Sequence, residues 1–264
     1  GRIVQHRSVE SIQQEALEIT DDPEFKGYIH DIGGPTANFF NAACEKQERG
    51  EYCKNRSCLY PEICPMLKID HTDYLNVLKK VRSMDKVKKV FIRSGIRFDY
   101  VINDRKSDFL MEICKHHISG QLKVAPEHTS DKVLSAMGKP PSCIYNEFKD
   151  RYTKINQKLG SKQYLVPYLI SGHPGSTLDD AIQMAVEIKK NKVLPEQVQD
   201  FYPTPGTVST TMYYTGKDPF TSKDVHVPDY REKQLQRALL QFSDPKNRKL
   251  TEIALRKAGR DDLI

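Results

Sequence analysis

The feature that most constrains this chain is a repeated order: an apolar strand-like run, a loop rich in glycine, proline or polar residues, then a helix pattern. The strand ends are Gly33-Gly34-Pro35-Thr36, Arg93-Ser94-Gly95, Pro126-Glu127-His128, Gly172-His173-Pro174-Gly175 and Pro203-Thr204-Pro205-Gly206. Strands alternating with helices imply parallel strands joined by crossovers. The fold class expected is therefore α/β, a partial (β/α) barrel with a parallel sheet of about five strands, followed by C-terminal helices. In a parallel barrel the chemistry sits at the carboxyl ends of the strands. The five loops above are the place to look for it.

In detail, the apolar spacing predicts a helix over 8–20 capped by Ser8, a strand over 25–32 and a helix over 37–44. A helix capped by Asp70 follows, a strand spans 86–94, and a helix spans 107–117. Then come a strand over 121–125, helices over 131–137 and 142–159, and a strand over 164–171. A helix capped by Ser176 runs to 190, a strand covers 196–201, and two charged helices cover 229–242 and 246–258. The barrel-like part is assigned to 1–210, with a cysteine-rich insertion over about 44–68, and a helical extension to 211–264.

The chain has 264 residues, enough for a sizeable core, and no run approaches the length and apolarity of a membrane span. A net charge of +6 permits nucleic-acid contact without requiring it. One basic group is Lys79, Lys80, Arg82, Lys86, Lys88 and Lys89; a second lies between Lys246 and Arg260. Solvated helix faces account for both, and an RNA-associated module is the functional alternative. Of the six cysteines, four fall between 44 and 64, which reads as a cytoplasmic metal site, not a secreted disulfide scaffold. The spacing Cys44-x8-Cys53-x4-Cys58-x5-Cys64 suits a tetrahedral zinc ion or an auxiliary Fe–S cluster. A structural metal domain is thus a third reading. Unligated thiols are the plain alternative, with Cys44 packed on a helix. Cys114 and Cys143 read as inert helix thiols.

Several motifs occur together in one order: Asp31-Ile-Gly-Gly-Pro-Thr-Ala-Asn38, Cys58-Leu-Tyr-Pro-Glu-Ile-Cys-Pro65, Leu122-Lys-Val-Ala-Pro-Glu-His-Thr129, Gln163-Tyr-Leu-Val-Pro-Tyr168, Gly172-His-Pro-Gly175 and Gln197-Val-Gln-Asp-Phe201. In these the chain resembles the YgiQ-type family of radical S-adenosylmethionine (SAM) proteins. It is more distantly similar to radical SAM methylthiotransferases in Ser130-Asp-Lys-Val-Leu-Ser-Ala-Met137, Gly172-His-Pro-Gly-Ser-Thr177 and Pro205-Gly-Thr207. The resemblance implies a SAM-cleaving enzyme with a [4Fe–4S] cluster, an electron donor such as flavodoxin or ferredoxin, and a substrate that nothing in the chain identifies.

The resemblance also implies roles for residues. Gly33 and Gly34 would offer backbone carbonyls to the methionine amine, and Pro35 replaces a glutamate found in many relatives. Thr36 would cap the following helix or supply a hydroxyl. Ser94 and Glu127 would reach ribose hydroxyls and the methionine end, or Glu127 would pair with Arg93. Gly172, His173 and Pro174 would shape the adenine side, with His173 structural and not a base. The family's CxxxCxxC cluster loop does not occur in this chain. The expectation is that it lies just upstream of Gly1, and that this piece alone is inactive.

Overall fold

A computed structural model describes residues 3–33, 36, 38–191, 195 and 198–264. The chain divides into two compact units, the first made of Gly1–Ala125 and Cys143–Val166, the second of Pro126–Ser142 and Pro167–Ile264.

The first unit opens with α1 (Val9–Thr20), where the Ser8 hydroxyl accepts from Ser11 N–H at 3.1 Å, satisfying a free helix-end donor. Strands β1 (Tyr28–Ile29) and β2 (Lys89–Val90) pair in parallel, Tyr28 with Lys89 and Ile29 with Val90. Around them lie α2 (Glu45–Glu48), α3 (Thr72–Arg82), α4 (Phe98–Ile102), α5 (Phe109–His116) and α7 (Ser142–Leu159), the last with its first residue in the second unit. The core joins Leu78 and Val81 of α3, Val90 of β2, Ile113 of α5 and Phe148 of α7, all fully or almost fully buried.

Strand β3 (Gln121–Glu127) and strand β4 (Tyr164–Ser171) each begin in the first unit and end in the second. With β5 (Val198–Asp200) they form a three-stranded sheet in the order β3–β4–β5. Strands β4 and β5 are parallel, with Leu169 opposite Val198 and Ser171 opposite Asp200. The second unit adds α6 (Asp131–Ala136), α8 (Leu178–Asn191), α9 (Val208–Thr215), α10 (Tyr230–Leu240) and α11 (Arg248–Lys257). Its apolar core is built by Ile182 and Met184 of α8, Leu235 and Leu239 of α10 and Leu255 of α11. No helix among the described residues is long and apolar enough to cross a membrane.

The α/β class and the parallel pairing agree with the sequence pattern. Several element boundaries differ, for local reasons. The helix expected over 37–44 is not formed by its described residues, and only the single turn α2 follows. Asn38 is drawn instead into bonds with the backbone of Arg97, accepting from its N–H at 2.8 Å and donating to its carbonyl at 3.2 Å, which competes with helix formation. Helix α3 has His71, not Asp70, at its N-cap, while Asp70 accepts from Thr72 N–H. For α8 the capping role falls to Thr177, which exchanges bonds with Asp180, and not to Ser176. Two helices had no sequence signal: α4 is buried all round and shows no polar face, and α9 is rich in serine and threonine.

Candidate functional site

Each unit builds its own strand ends, and Ser94 and Glu127 lie at them. In the first unit Asp31 follows β1 and reaches the end of β2. Its Oδ1 accepts from the N–H groups of Arg93 (2.9 Å) and Ser94 (3.2 Å), and Oδ2 accepts from the Ser94 hydroxyl. This carboxylate ties the chain after β1 to the chain after β2, which are also joined by Phe91 N–H to the Ile29 carbonyl and Ile32 N–H to the Phe91 carbonyl. Arg93 lies over the ring of Phe91. Gly33 is exposed on the same loop and lines a cavity of about 450 Å³ with Asp31, Ile32, Phe40 and Tyr74. The Tyr74 hydroxyl donates to the Ile32 carbonyl, and burial pushes its pKa well above the usual phenol value. Gly34 and Pro35 lie outside the described residues. Thr36 is half-buried and has no helix to cap at 37–44; its carbonyl accepts from Phe39 N–H.

A buried relay holds this loop from behind. Asn38 Nδ2 donates to His71 Nε2 (3.1 Å), and His71 Nδ1 donates to Asp104 Oδ2 (2.7 Å). Asp104 also accepts from Lys106 N–H, Ser107 N–H and the Ser107 hydroxyl. Burial alone would raise the pKa of Asp104; the bonds from His71 and the 106–107 turn outweigh it and hold the carboxyl well below its usual range. His71 stacks on Phe109 with ring centroids 4.1 Å apart.

In the second unit, Glu127 closes β3 with φ +67°, a left-handed backbone that is uncommon outside glycine. The partner of its carboxylate is Lys139, at 2.7 Å. Next to it His128 is buried. Ser130 N–H donates to its Nδ1 at 3.0 Å, so in the uncharged ring the proton sits on Nε2, which has no partner among the described residues. Burial lowers the His128 pKa to about 4.

Gly172, His173 and Pro174 are all buried. Gly172 has φ +68°, and a Cβ there would stand 2.7 Å from the Lys233 side chain of α10. Its N–H donates to Gln236 Oε1, as does the hydroxyl of Ser176. His173 donates from Nδ1 to the Pro174 carbonyl (2.7 Å) and accepts at Nε2 from Ser209 of α9 (2.8 Å). Burial lowers its pKa, so both ring nitrogens act as fixed structural contacts. At the ends of β4 and β5, Asp200 accepts from Ser171 (2.6 Å) and pairs with Arg237 (2.6 Å).

Cys44, Cys53, Cys58 and Cys64 are free, half-buried thiols that all line one cavity of about 250 Å³. Among the described residues no three potential ligands stand in a metal-holding arrangement. Cys114 is buried on α5, where burial pushes its thiol up to about 12, and Cys143 is exposed on α7.

The roles of Asp31, His71, Asp104, Ser209, Lys233 and Gln236 were not read from the sequence. Gln236 left no signal, since beside Arg237 in Leu235-Gln-Arg-Ala-Leu-Leu240 it reads as an ordinary polar helix position. For the others the partner is 33 to 63 residues away, and no local pattern announces it.

Comparison with known proteins extends the strand-end motifs to a family. A family profile described as "Domain of unknown function (DUF3362)" matches residues 196–264. Over the whole chain the sequence is 58% identical to a UPF0313 protein of Clostridium botulinum (strain 657 / Type Ba4), 42% of whose length it covers. It is 54% identical to a UPF0313 protein of Clostridium perfringens (strain 13 / Type A), again over the whole chain and 40% of the relative. The chain thus spans about two fifths of the length of these curated relatives. With this degree of identity along its full extent, the chain belongs to the UPF0313 proteins, the YgiQ-type family its motifs resemble.

Proposed function

We propose that this chain is part of a radical SAM core, a partial (β/α) barrel, in a longer protein that reductively cleaves SAM. The observation that carries the reading is the ordered series of strand-end motifs at 31–38, 122–129, 172–177 and 205–207. Identity of 58% to a relative more than twice as long supports treating the chain as a piece of a longer protein.

The residues present fit the two implied groups differently. No compact CxxxCxxC occurs here, and the four clustered cysteines are separated by 8, 4 and 5 residues. These residues do not fit the radical-generating [4Fe–4S] cluster, and no step is drawn through it. For SAM the fit is better. Gly33 stands exposed and lines a cavity. The Ser94 hydroxyl donates to Asp31, which leaves its lone pairs free to accept from a ribose hydroxyl. Glu127 uses Oε1 for Lys139, and Oε2 remains for an ammonium. When bound, SAM supplies the bond that is cleaved; this chain's own share is to hold and orient its ends. Within the first unit Asp31 fixes the Ser94 hydroxyl, and within the second Gln236 fixes the Gly172 amide.

The test uses the full-length protein, reconstituted anaerobically with iron and sulfide and reduced with dithionite in the presence of SAM. Release of methionine and 5′-deoxyadenosine is expected. Release of neither from protein carrying a reduced cluster overturns the reading.

A further inference from the structure

We propose that Cys44, Cys53, Cys58 and Cys64 bind one Zn²⁺ as a closed, structural four-thiolate site. The proposal goes beyond the SAM reading and is independent of it. Its first ground is what the segment lacks. From 41 to 70 the only buried residue is Gln47, and the hydrophobic cluster of the first unit passes from Phe40 directly to Tyr74. Fixing a backbone costs about 1–2 kcal/mol per residue, and to offset it this stretch has no fully buried apolar side chain, only half-buried ones such as Leu59, Tyr60, Leu67 and Ile69. Segments of that kind are commonly held by a metal or by cross-links.

The second ground is what the segment does have. Its base is closed by Lys68 N–H donating to the Ala43 carbonyl (2.8 Å), and Gln47 Oε1 accepts from Ala43 N–H (3.1 Å). Inside, Cys64 N–H donates to the Cys58 carbonyl (2.9 Å), folding two of the thiol-bearing residues toward each other. All four Sγ-bearing residues face one cavity, walled by Tyr52, Met66 and Leu67 and flanked by Arg49 and Arg56. None of the four is in a disulfide. Glu45 and Glu51 line the same cavity, and Arg49 is paired with Glu51 at 3.3 Å. In the structure described here the thiols line the cavity without converging, so the loop closes as the ion enters. Zinc is the ion for which four sulfurs and no open position make a purely structural site.

The experiment is a titration of the reduced, metal-free 264-residue chain with Co²⁺ as a visible probe, followed by Zn²⁺. Expected are the absorption bands of tetrahedral cobalt thiolate, saturating at one ion per chain and bleached by one equivalent of Zn²⁺. Zinc should also protect four of the six thiols from alkylation and raise the melting temperature. Cys58→Ser and Cys64→Ser should each lose the bands, while Cys143→Ser keeps them. Because thiols must release protons to bind, affinity should fall as pH drops. Absence of the bands in wild-type chain overturns the proposal. So does anaerobically purified chain holding iron and acid-labile sulfide on these cysteines in place of zinc.

Discussion

Two buried histidines, one in each unit, have opposite fates. His71 has both nitrogens engaged, by Asp104 on one side and Asn38 on the other, and its ring is packed against Phe109. His128 is just as inaccessible, at 2% exposure, yet only Nδ1 has a partner. A fully satisfied buried network rigidifies what it touches, and an unsatisfied donor costs folding energy wherever it remains. His71 therefore braces the loop carrying Gly33, by fixing Asn38. His128 braces little beyond the Ser130 amide, and sits beside a glutamate held in left-handed backbone. The lesson is that burial alone does not identify a structural histidine; the second nitrogen decides.

This contrast is most easily broken by removing a partner in the first unit. Asp104→Ala strands His71 Nδ1 and two amides of the 106–107 turn, and should cost about 3 kcal/mol in urea unfolding, at roughly 1–3 kcal/mol per stranded buried group. His128→Asn, whose Oδ1 can still accept from Ser130, should cost under about 1 kcal/mol. Equal losses in the two variants would dissolve the distinction.

Acid gives a second comparison. The folded pKa of His128 is about 4, below the ordinary 6.5, because burial disfavours the charged ring. Between those values the unfolded chain binds more protons, so stability rises with pH and is lost as pH falls from 6.5 to 4. The shift corresponds to about 3 kcal/mol at 1.4 kcal/mol per unit. His117, in the first unit, is also lowered to about 4, so it shares this window. Asp104 acts in the same direction but at lower pH: its carboxyl is depressed, and its contribution persists until pH falls below the ordinary value of 3.8. Stability measured from pH 7 to 4 should drop, and His128→Asn should remove about half of the slope that the two histidines contribute. An unchanged slope would show that His128 already charges in the folded state.

The smallest effect separates backbone strain from close packing. Gly172 and Gly206 both have positive φ, +68° and +77°, but only Gly172 has Lys233 against it. Gly206→Ala should cost about 1 kcal/mol from conformation alone. Gly172→Ala should cost more, by whatever Lys233 loses in moving aside. Equal melting temperatures for the two variants would mean that α10 yields freely.

Much of the fold could be read from the chain. The runs at 142–159 and 164–171 have strong periodicity or β-branched character, and their elements span those residues. The helix over 37–44 failed because Asn38 serves a distant partner, and α4 escaped because a helix buried on all sides carries no amphipathic signal. At the site, the loops could be placed from glycine, proline and motif order. The groups that fix them could not: Asp31 acts on residues 62 and 63 positions away, and Gln236 on a glycine 64 positions away.

Composition and spacing alone determined the α/β alternation, the glycines at strand ends, the clustering of four thiols and the family kinship. These are local or ordered properties, and a linear chain displays them directly. Only the tertiary structure decided which carboxylate holds Ser94, that Glu127 belongs to Lys139, and that His71 is satisfied while His128 is not. Such pairings depend on distances between segments far apart in the chain, set by how apolar faces pack and not by the identity of either partner.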